Sequence, residues 1–486
     1  MRILLVNPPF KFKLSRASRW PEFTKSGTLY YPIWLAYAAG VLMKKGHNVL
    51  LLDALAKGWN FEETIIKIKE FKPDLLAVDS STPSIHNDIQ FIDEVKKHLP
   101  NVKVVLVGTH PSVLPEETFA MSTSIDFIAR HEYDYTLRDL ATSLENKKDL
   151  RKVLGLSYRE FGHAYSNPDR PLIENLDELQ FVSQVYKKFL NVSDYRYALA
   201  RHPMIQIMSS RGCPNMCTFC SLPQTFMGRK FRARSPENFV DEIEWITKNL
   251  PEIKEIFIED DTFTVDKQRI LRICDLIDER NLNIVWSVNV RADIPFDVLK
   301  RMKETGCRML IVGYESGSDE ILKNIKKGMT IKLAERFTRN AKRAGLKIFG
   351  CFMIGLPGET KETIKQTFQF AKKLNPDMVF FQQAVPFPGT EFYEWVKSNG
   401  FLTSNKWSDW LDDQGRLTYL VSYPNLSNNE IRELRDRLMI KFYASPKWII
   451  QAMYHNLHPS EMARLAVAAK DYTTYLAGSV KKRIFK

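Results

Sequence analysis

The sequence predicts an α/β protein in which a doubly wound parallel sheet precedes a partial (β/α)6 barrel and a mostly helical appendix. Three observations carry that expectation. Apolar strands alternate with amphipathic helices twice over, once near the start of the chain and again from Met204. The alternation fails between about Leu154 and His202, where Asn167, Pro168, Asp169 and Pro171 signal turns. Beyond about residue 400 the strands stop and helical stretches rich in Trp and Tyr take over.

In the first block five strands stand out: Ile3 to Asn7, Asn48 to Asp53, Leu75 to Asp79, Val104 to Gly108 and Phe127 to Ala129. Helical stretches such as Trp34 to Lys45 and Ile85 to His98 separate them. Parallel strands joined in this way bind ligands at their C-terminal ends. In the second block strands are expected near 204–210, 255–259, 284–290, 308–314, 347–354 and 378–385, with a helix in every gap. Right-handed crossovers curl such a run into a partial barrel with its site at the strand C-terminal mouth. The expected domains are 1–150 for the sheet, 151–202 for a connector, 203–395 for the barrel and 396–486 for the helical region.

A chain of 486 residues with 44% hydrophobic content can bury several cores. Its six cysteines stand at 213, 217, 220, 274, 307 and 351, three bunched and three single, which is no disulfide framework. The opening MRILLVNPPF runs straight into a strand without an export signal, and no apolar run approaches the ~20 residues of a bilayer span. A cytoplasmic location is expected. The net charge of +13 arises from 70 basic residues interspersed with 57 acidic ones, so a solvated surface is expected and nucleic acid is not. Only the C-terminus is locally basic. Lys447, Arg464, Lys470, Lys481, Lys482, Arg483 and Lys486 face just Glu461 and Asp471, which admits peripheral contact with a membrane.

Arg211 to Pro223 reads RGCPNMCTFCSLP and sets three thiols at C-x3-C-x2-C on the loop leaving the first barrel strand. A structural zinc site wants four ligands, and no fourth Cys or His lies in this loop. Three thiolates suit a 4Fe-4S cubane with one open iron. Cys274, Cys307 and Cys351 fall inside expected helix or strand and read as core residues. Other chemistry-bearing residues collect at the neighbouring strand ends. Glu259, Asp260 and Asp261 end the second strand, and burying them unpaired would be costly, so they either meet a cation or form a solvated turn with a helix cap. Arg291 ends the third strand in SVNVRAD and Glu315 the fourth in GYESGS, opposite charges expected to pair. Gly355 and Gly358 in IGLPGET (354–360) permit close backbone approach.

The motif C-x3-C-aromatic-C after the first strand of a partial barrel, with Phe219 at the aromatic position, resembles the signature of radical S-adenosylmethionine (SAM) enzymes. The resemblance implies that Cys213, Cys217 and Cys220 are catalytic ligands of a 4Fe-4S cluster. Its free iron would chelate SAM, and reductive cleavage would give a 5'-deoxyadenosyl radical. SAM contacts are implied for Phe219, for one of Glu259, Asp260 and Asp261 at the amino group, for Arg291, for Glu315 and Ser316 in the segment against the ribose, and for Ile354 and Gly355 along the adenine. An external electron donor such as flavodoxin or ferredoxin is implied as well.

Over nearly the first 400 residues, the domain order resembles the cobalamin-binding branch of that superfamily, which places a flavodoxin-like domain before the barrel. The matching pieces are VNPP (6–9), YYPIWLAYAAGVLMKKGH (30–47), VDSSTPS (78–84), VGTHPSVLPEE (107–117) and ARHEYDYT (129–136). In that branch such loops wrap the corrin and its nucleotide tail, which implies cobalamin contacts from Ser80, Ser81, Thr82, Gly108, Thr109 and His110. The D-x-H-x-x-G signature that brings a histidine to cobalt is not present, so no axial histidine is implied, and His86, His110 and His131 read as polar loop residues. Where the branch often has a Gly-Glu pair, this chain has His131 and Glu132.

Within the branch, YPIWLAYAAG, STPS and VGTH are similar to the group containing the anaerobic magnesium-protoporphyrin monomethyl ester cyclase and a hopanoid-associated enzyme, both acting on large, greasy substrates. The function this implies is radical attack on an unactivated carbon of a lipid-like or tetrapyrrole-like small molecule. Either methyl transfer or an oxidative cyclisation or rearrangement completes it, the latter an oxidoreductase reaction. Trp395, Trp407, Trp410 and Trp448 suit such a substrate or pack the appendix core. A methylthiotransferase acting on tRNA or protein is the competing class, but it needs three more cysteines in the N-terminal domain and none precedes Cys213. A non-catalytic cobalamin or iron-sulfur sensor would need no SAM pocket.

Overall fold

The structure, a computed structural model, describes residues 1–16 and 27–455, with side chains as far as Ala452. The basic run from Arg464 onwards lies outside the described residues. Strands β1 (Arg2–Asn7), β2 (Asn48–Asp53), β3 (Leu75–Ser80), β4 (Lys103–Gly108) and β5 (Phe127–Ala129) form on the expected apolar runs and pair parallel in the order β2-β1-β3-β4-β5. β3 is buried at every residue because both faces of the sheet are covered, so its LLAV run shows no alternation. Successive residues nevertheless enter opposite cores. Ile3, Leu5, Ala77, Val105 and Val107 share one with the helix Ile33–Lys44, while Leu4, Val6, Leu76, Val78, Val104 and Leu106 share the other with the helix Ile85–His98. Each aliphatic side chain removed from water in this way contributes roughly 1.5–3 kcal/mol.

The segment expected as a connector begins with a hairpin. β6 (Leu156–Glu160) and β7 (His163–Ser166) add antiparallel beyond β5, giving a sheet of seven strands. β7 is exposed at every residue and carries no apolar alternation, which is why periodicity did not reveal it.

The second sheet begins with β8 (Met204–Ile207). A short ribbon follows, β9 (Ser210–Arg211) paired antiparallel with β10 (Arg232–Ala233). Then come β11 (Glu255–Ile258), β12 (Trp286–Val290), β13 (Cys307–Glu315), β14 (Lys347–Ile354) and β15 (Met378–Gln383). These five and β8 are all parallel, and neighbours in sequence are neighbours in space. Ser235, Asp266, Thr330 and Thr360 start the helices 236–249, 267–279, 331–343 and 361–374, each side chain accepting the N–H of the third helical residue. At the opposite end from the mouth, Glu255 accepts from Nε and Nη2 of Arg308, both at 2.9 Å, a buried pair placed to stabilise rather than react.

The C-terminal helices are Glu391–Ser398, Asn428–Tyr443 and Pro446–His455. Between the first two runs a strap of isolated bridges and a 3-10 turn, Trp407–Trp410. Trp407 and Trp410 do not build an appendix core. They are buried in the core of the first sheet with Leu4, Val78 and Leu106, while Trp395 and Trp448 pack, partly buried, on the other core. Among the described residues no helix is long and apolar enough to cross a membrane.

Candidate active site

The loop carrying the three thiols leaves β9 and ends in the short helix Ser221–Thr225. Cys217 is buried, Cys213 and Cys220 are half-buried, and all three are free thiols. The base of the loop is pinned by Asp260. Its Oδ1 accepts from the N–H of Ser209 (2.7 Å) and Ser210 (3.1 Å), and its Oδ2 accepts from the hydroxyls of the same residues at 2.5 and 2.6 Å. Asp261 Oδ2 accepts from Gly212 N at 3.1 Å. Further along, Thr218 N donates to Ile325 O at 3.1 Å, and the Gln224 amide donates to the carbonyls of Cys220 (2.7 Å) and Thr218 (3.1 Å). Of the three acids at the β11 end, Asp260 thus serves the architecture of the loop.

Two cations face the thiols. Arg291 Nη1 lies 4.0 Å from Cys217 Sγ. Lys327 is buried, which opposes its charge, but Glu315 and then Cys217 outweigh burial and hold the ammonium above its ordinary pKa. Positive charge of this kind favours thiolates. The expected pairing of Arg291 with Glu315 does not occur. Glu315 takes Lys327 instead, Oε1 to Nζ at 2.7 Å, and Arg291 donates to the carbonyls of Lys327 and Gly328. The cause is local geometry. β13 shifts register between Gly313 and Glu315, Glu315 adopts φ +63°, and its carboxylate folds back over Gly313, where a Cβ would lie 2.3 Å from Oε1.

Ser316 is committed to packing, its Oγ 3.2 Å from Thr367 Oγ1. Ile354 is fully buried at the end of β14, and Gly355 at φ +92° turns the chain over Glu359. Glu359 escaped the sequence reading although it lies inside IGLPGET. Its Oε2 accepts from the N–H of Gly355 (2.5 Å) and Leu356 (3.0 Å), while its buried Oε1 has no partner. Burial raises this carboxyl to about 8 despite the two N–H donors. A carboxyl raised on folding contributes stability that is complete below its unfolded value of about 4.5 and lost as pH climbs through 8. We therefore expect the melting temperature to fall more steeply between about pH 5 and pH 8 in the wild type than in Glu359→Gln. Parallel curves would show that Glu359 ionises freely.

The six positions expected at the first sheet do come together, at the C-terminal ends of β3 and β4. Ser81 Oγ lies 3.0 Å from Ser84 Oγ, and Thr82 Oγ1 lies 3.3 Å from His110 Nδ1. Gly108 adopts φ +114°, and Thr109 opens the helix Thr109–Val113. Ser80 Oγ and His110 Nε2 are buried without a partner. Burial lowers His110 to about 3, so its ring is neutral, and its edge meets Trp407 with ring centroids 5.0 Å apart. The sequence did not reveal Trp407 as a wall of this edge, nor the acids behind it. Burial raises Asp53 to about 6 and Asp79 to about 7. Arg16 reaches into the same interior, to Asp88 Oδ1 at 2.5 Å and Asn7 Oδ1 at 2.8 Å.

The donor sets fit the groups the resemblance implies. Among the described residues no three His, Cys, Asp or Glu side chains converge to hold one ion. Three thiols on one loop, with Arg291 beside Cys217, suit a cluster that takes sulfur ligands. Thr218 Oγ1 and Thr262 Oγ1, buried without partners near the thiols and acids, mark unmet polar capacity at the mouth, as Ser80 and His110 do at the sheet edge.

The comparisons agree with this geometry. The pattern of the radical SAM superfamily matches residues 207–371, and that of the B12 binding domain matches residues 22–141. The chain is 33% identical over 458 residues to an uncharacterized methyltransferase of Pyrococcus horikoshii, covering 94% of this chain and 95% of that one. It is 27% identical over 406 residues to the anaerobic magnesium-protoporphyrin IX monomethyl ester cyclase of Rubrivivax gelatinosus, covering 81% and 70% of the two chains. Its fold is similar to that of the radical SAM methyltransferase TsrM from Kitasatospora setae, solved with cobalamin and a 4Fe-4S cluster, at TM-score 0.71 and 18% identity over 92% of this chain and 89% of that one.

Proposed function

Because the chain belongs to the radical SAM superfamily and carries a B12 binding domain ahead of its barrel, we propose that it methylates an unactivated carbon of a large, apolar small molecule. It is a cobalamin-dependent radical SAM enzyme of the methyltransferase or cyclase kind. The observation that carries the methyltransferase reading is the full-length likeness to a methyltransferase, 94% of this chain against 95% of that one. The tetrapyrrole-like or lipid-like character of the substrate rests on the similarity to a protoporphyrin ester cyclase.

When bound, the cluster, SAM and cobalamin supply one-electron cleavage to a carbon radical and a transferable methyl group. The chain's part is to hold and orient. Cys213, Cys217 and Cys220 would hold the cluster through their sulfurs. Arg291 and Lys327 set positive charge beside Cys217. One of Glu259, Asp260 and Asp261 would receive the SAM amino group, and Asp260 and Asp261 also brace the cysteine loop through Ser209, Ser210 and Gly212. Gly355 brings its backbone close to the adenine, supported by Tyr423, whose hydroxyl donates to Gly355 O at 2.8 Å. At the sheet edge, Ser80, Ser81, Thr82, Gly108, Thr109 and neutral His110 would hold cobalamin.

The test is anaerobic reconstitution with iron, sulfide, SAM, hydroxocobalamin and a low-potential flavodoxin or ferredoxin. Retained cobalamin with both S-adenosylhomocysteine and 5'-deoxyadenosine is expected. Cobalamin with 5'-deoxyadenosine alone replaces methylation with cyclisation or rearrangement. A chain that retains no cobalamin overturns the assignment of the sheet edge.

A further inference from the structure

We infer that the turn from His131 to Asp134 is a positioning element for the cysteine loop, fixing where the three thiols stand relative to the C-terminal edge of the first sheet. The inference rests on the cluster assignment to Cys213, Cys217 and Cys220.

The turn leaves β5 and reaches across to the barrel. Asp134 accepts from both Nη1 (2.9 Å) and Nη2 (3.2 Å) of Arg211. Glu132 accepts from both Nη1 and Nη2 of Arg232 at 2.8 Å, and its Oε1 lies 3.6 Å from Arg211 Nη1. All four side chains are 3% exposed or less, so these forks are shielded from water. Arg211 and Arg232 are themselves directly opposite each other in the β9–β10 ribbon. The two acids therefore grip both ends of the segment that carries the thiols.

Three further contacts tighten the grip. The Arg211 guanidinium lies over the rings of Trp34 (5.3 Å) and Tyr37 (4.8 Å) on the helix Ile33–Lys44. Between Arg211 and Cys213, Gly212 adopts φ +83° with a Cβ position only 2.2 Å from Lys230 O, so the backbone there has one route. His131 adopts φ +59°, the left-handed region that glycine favours, and its Nδ1 lies 2.8 Å from Thr225 O in the helix that follows Cys220. The histidine thus takes a backbone that glycine favours and adds a contact to the helix that follows the thiols.

An interface that needed only adhesion would serve as well with apolar pairs. Buried forked ion pairs contribute little net stability but fix register, because a displaced guanidinium leaves a carboxylate unpaired in the interior. Small displacements matter where reacting groups must align, and a shift of about 1 Å can slow a reaction by ~100-fold.

The test compares wild type, Asp134→Asn, Arg211→Lys and His131→Gly as holoenzymes with iron, sulfide and cobalamin quantified. The readouts are the electron paramagnetic resonance spectrum of the dithionite-reduced cluster with and without SAM, and the rate of substrate-free SAM cleavage. Arg211→Lys keeps the charge and removes the fork. At full iron occupancy we expect altered spectra in the presence of SAM in all three variants. Cleavage should slow by about 10- to 100-fold in the first two and several-fold in His131→Gly. His131→Gly suits the observed φ and keeps the fold, so it carries the test if the charge variants do not fold. Spectra and rates equal to wild type at full occupancy, even with a lowered melting temperature, would reduce the turn to a stabilising contact and overturn the inference. A wild type that takes up no iron through these thiols overturns the cluster assignment instead.

Discussion

Cys217→Ser is expected to abolish cluster retention and to reduce SAM cleavage by more than about 10³-fold, the scale on which loss of one member disables a catalytic unit. Cys217 is the buried thiol of the three, 6% exposed, with Arg291 4.0 Å from its sulfur. A serine hydroxyl in that place is a poor ligand for iron. The control is Cys274→Ser. Cys274 is fully buried in the helix Lys267–Glu279, away from the cysteine loop, and burial raises its thiol to about 11. Iron and sulfide analysis with product chromatography decides the matter. A Cys217→Ser protein that still cleaves SAM would place the cluster elsewhere.

Gly108→Ala is expected to weaken cobalamin retention by at least about 10- to 100-fold while leaving the cluster intact. Gly108 pairs with Ser80 across β3 and β4 at φ +114°, and an added Cβ would stand 2.0 Å from Ser80 O and 3.1 Å from Asp79 Oδ1. Both obstacles are held in the sheet, so the strand ends must part. Backbone strain of this kind costs on the order of 1–3 kcal/mol, and it falls on the edge that Ser80, Thr109 and His110 share. Titration with hydroxocobalamin, alongside iron content and substrate-free SAM cleavage, separates the two sites. Retention equal to wild type would remove β3 and β4 from the cobalamin site.

What the sequence disclosed was whatever depends on short-range pattern. The parallel strands of both sheets were legible because a strand covered on both faces must be apolar throughout. The cysteine loop was legible because its spacing is set within eight residues. Choice of partner was not. Arg291 and Glu315 stand at adjacent strand ends, yet a bulge at Gly313 turns Glu315 towards Lys327, whose position depends on the loop after the helix Asp319–Asn324. Nor did the sequence disclose the four contacts that Asp260 accepts from Ser209 and Ser210. The tryptophans of the strap were legible as buried groups, but their placement against His110 is a contact across about three hundred residues that no local period encodes.

Translation completes the C-terminal edge of the first sheet long before the strap that packs against it. The turn at Asp134 is made early, whereas Trp407 follows after the whole barrel has been synthesised. At about 5–20 residues per second, the delay is on the order of tens of seconds. During that interval the core shared by Leu4, Val78 and Leu106 lacks the two tryptophans that complete it. Only when Trp407 and Trp410 are seated does His110 gain its aromatic neighbour, so the packing of this edge is completed when nearly the whole chain has been made.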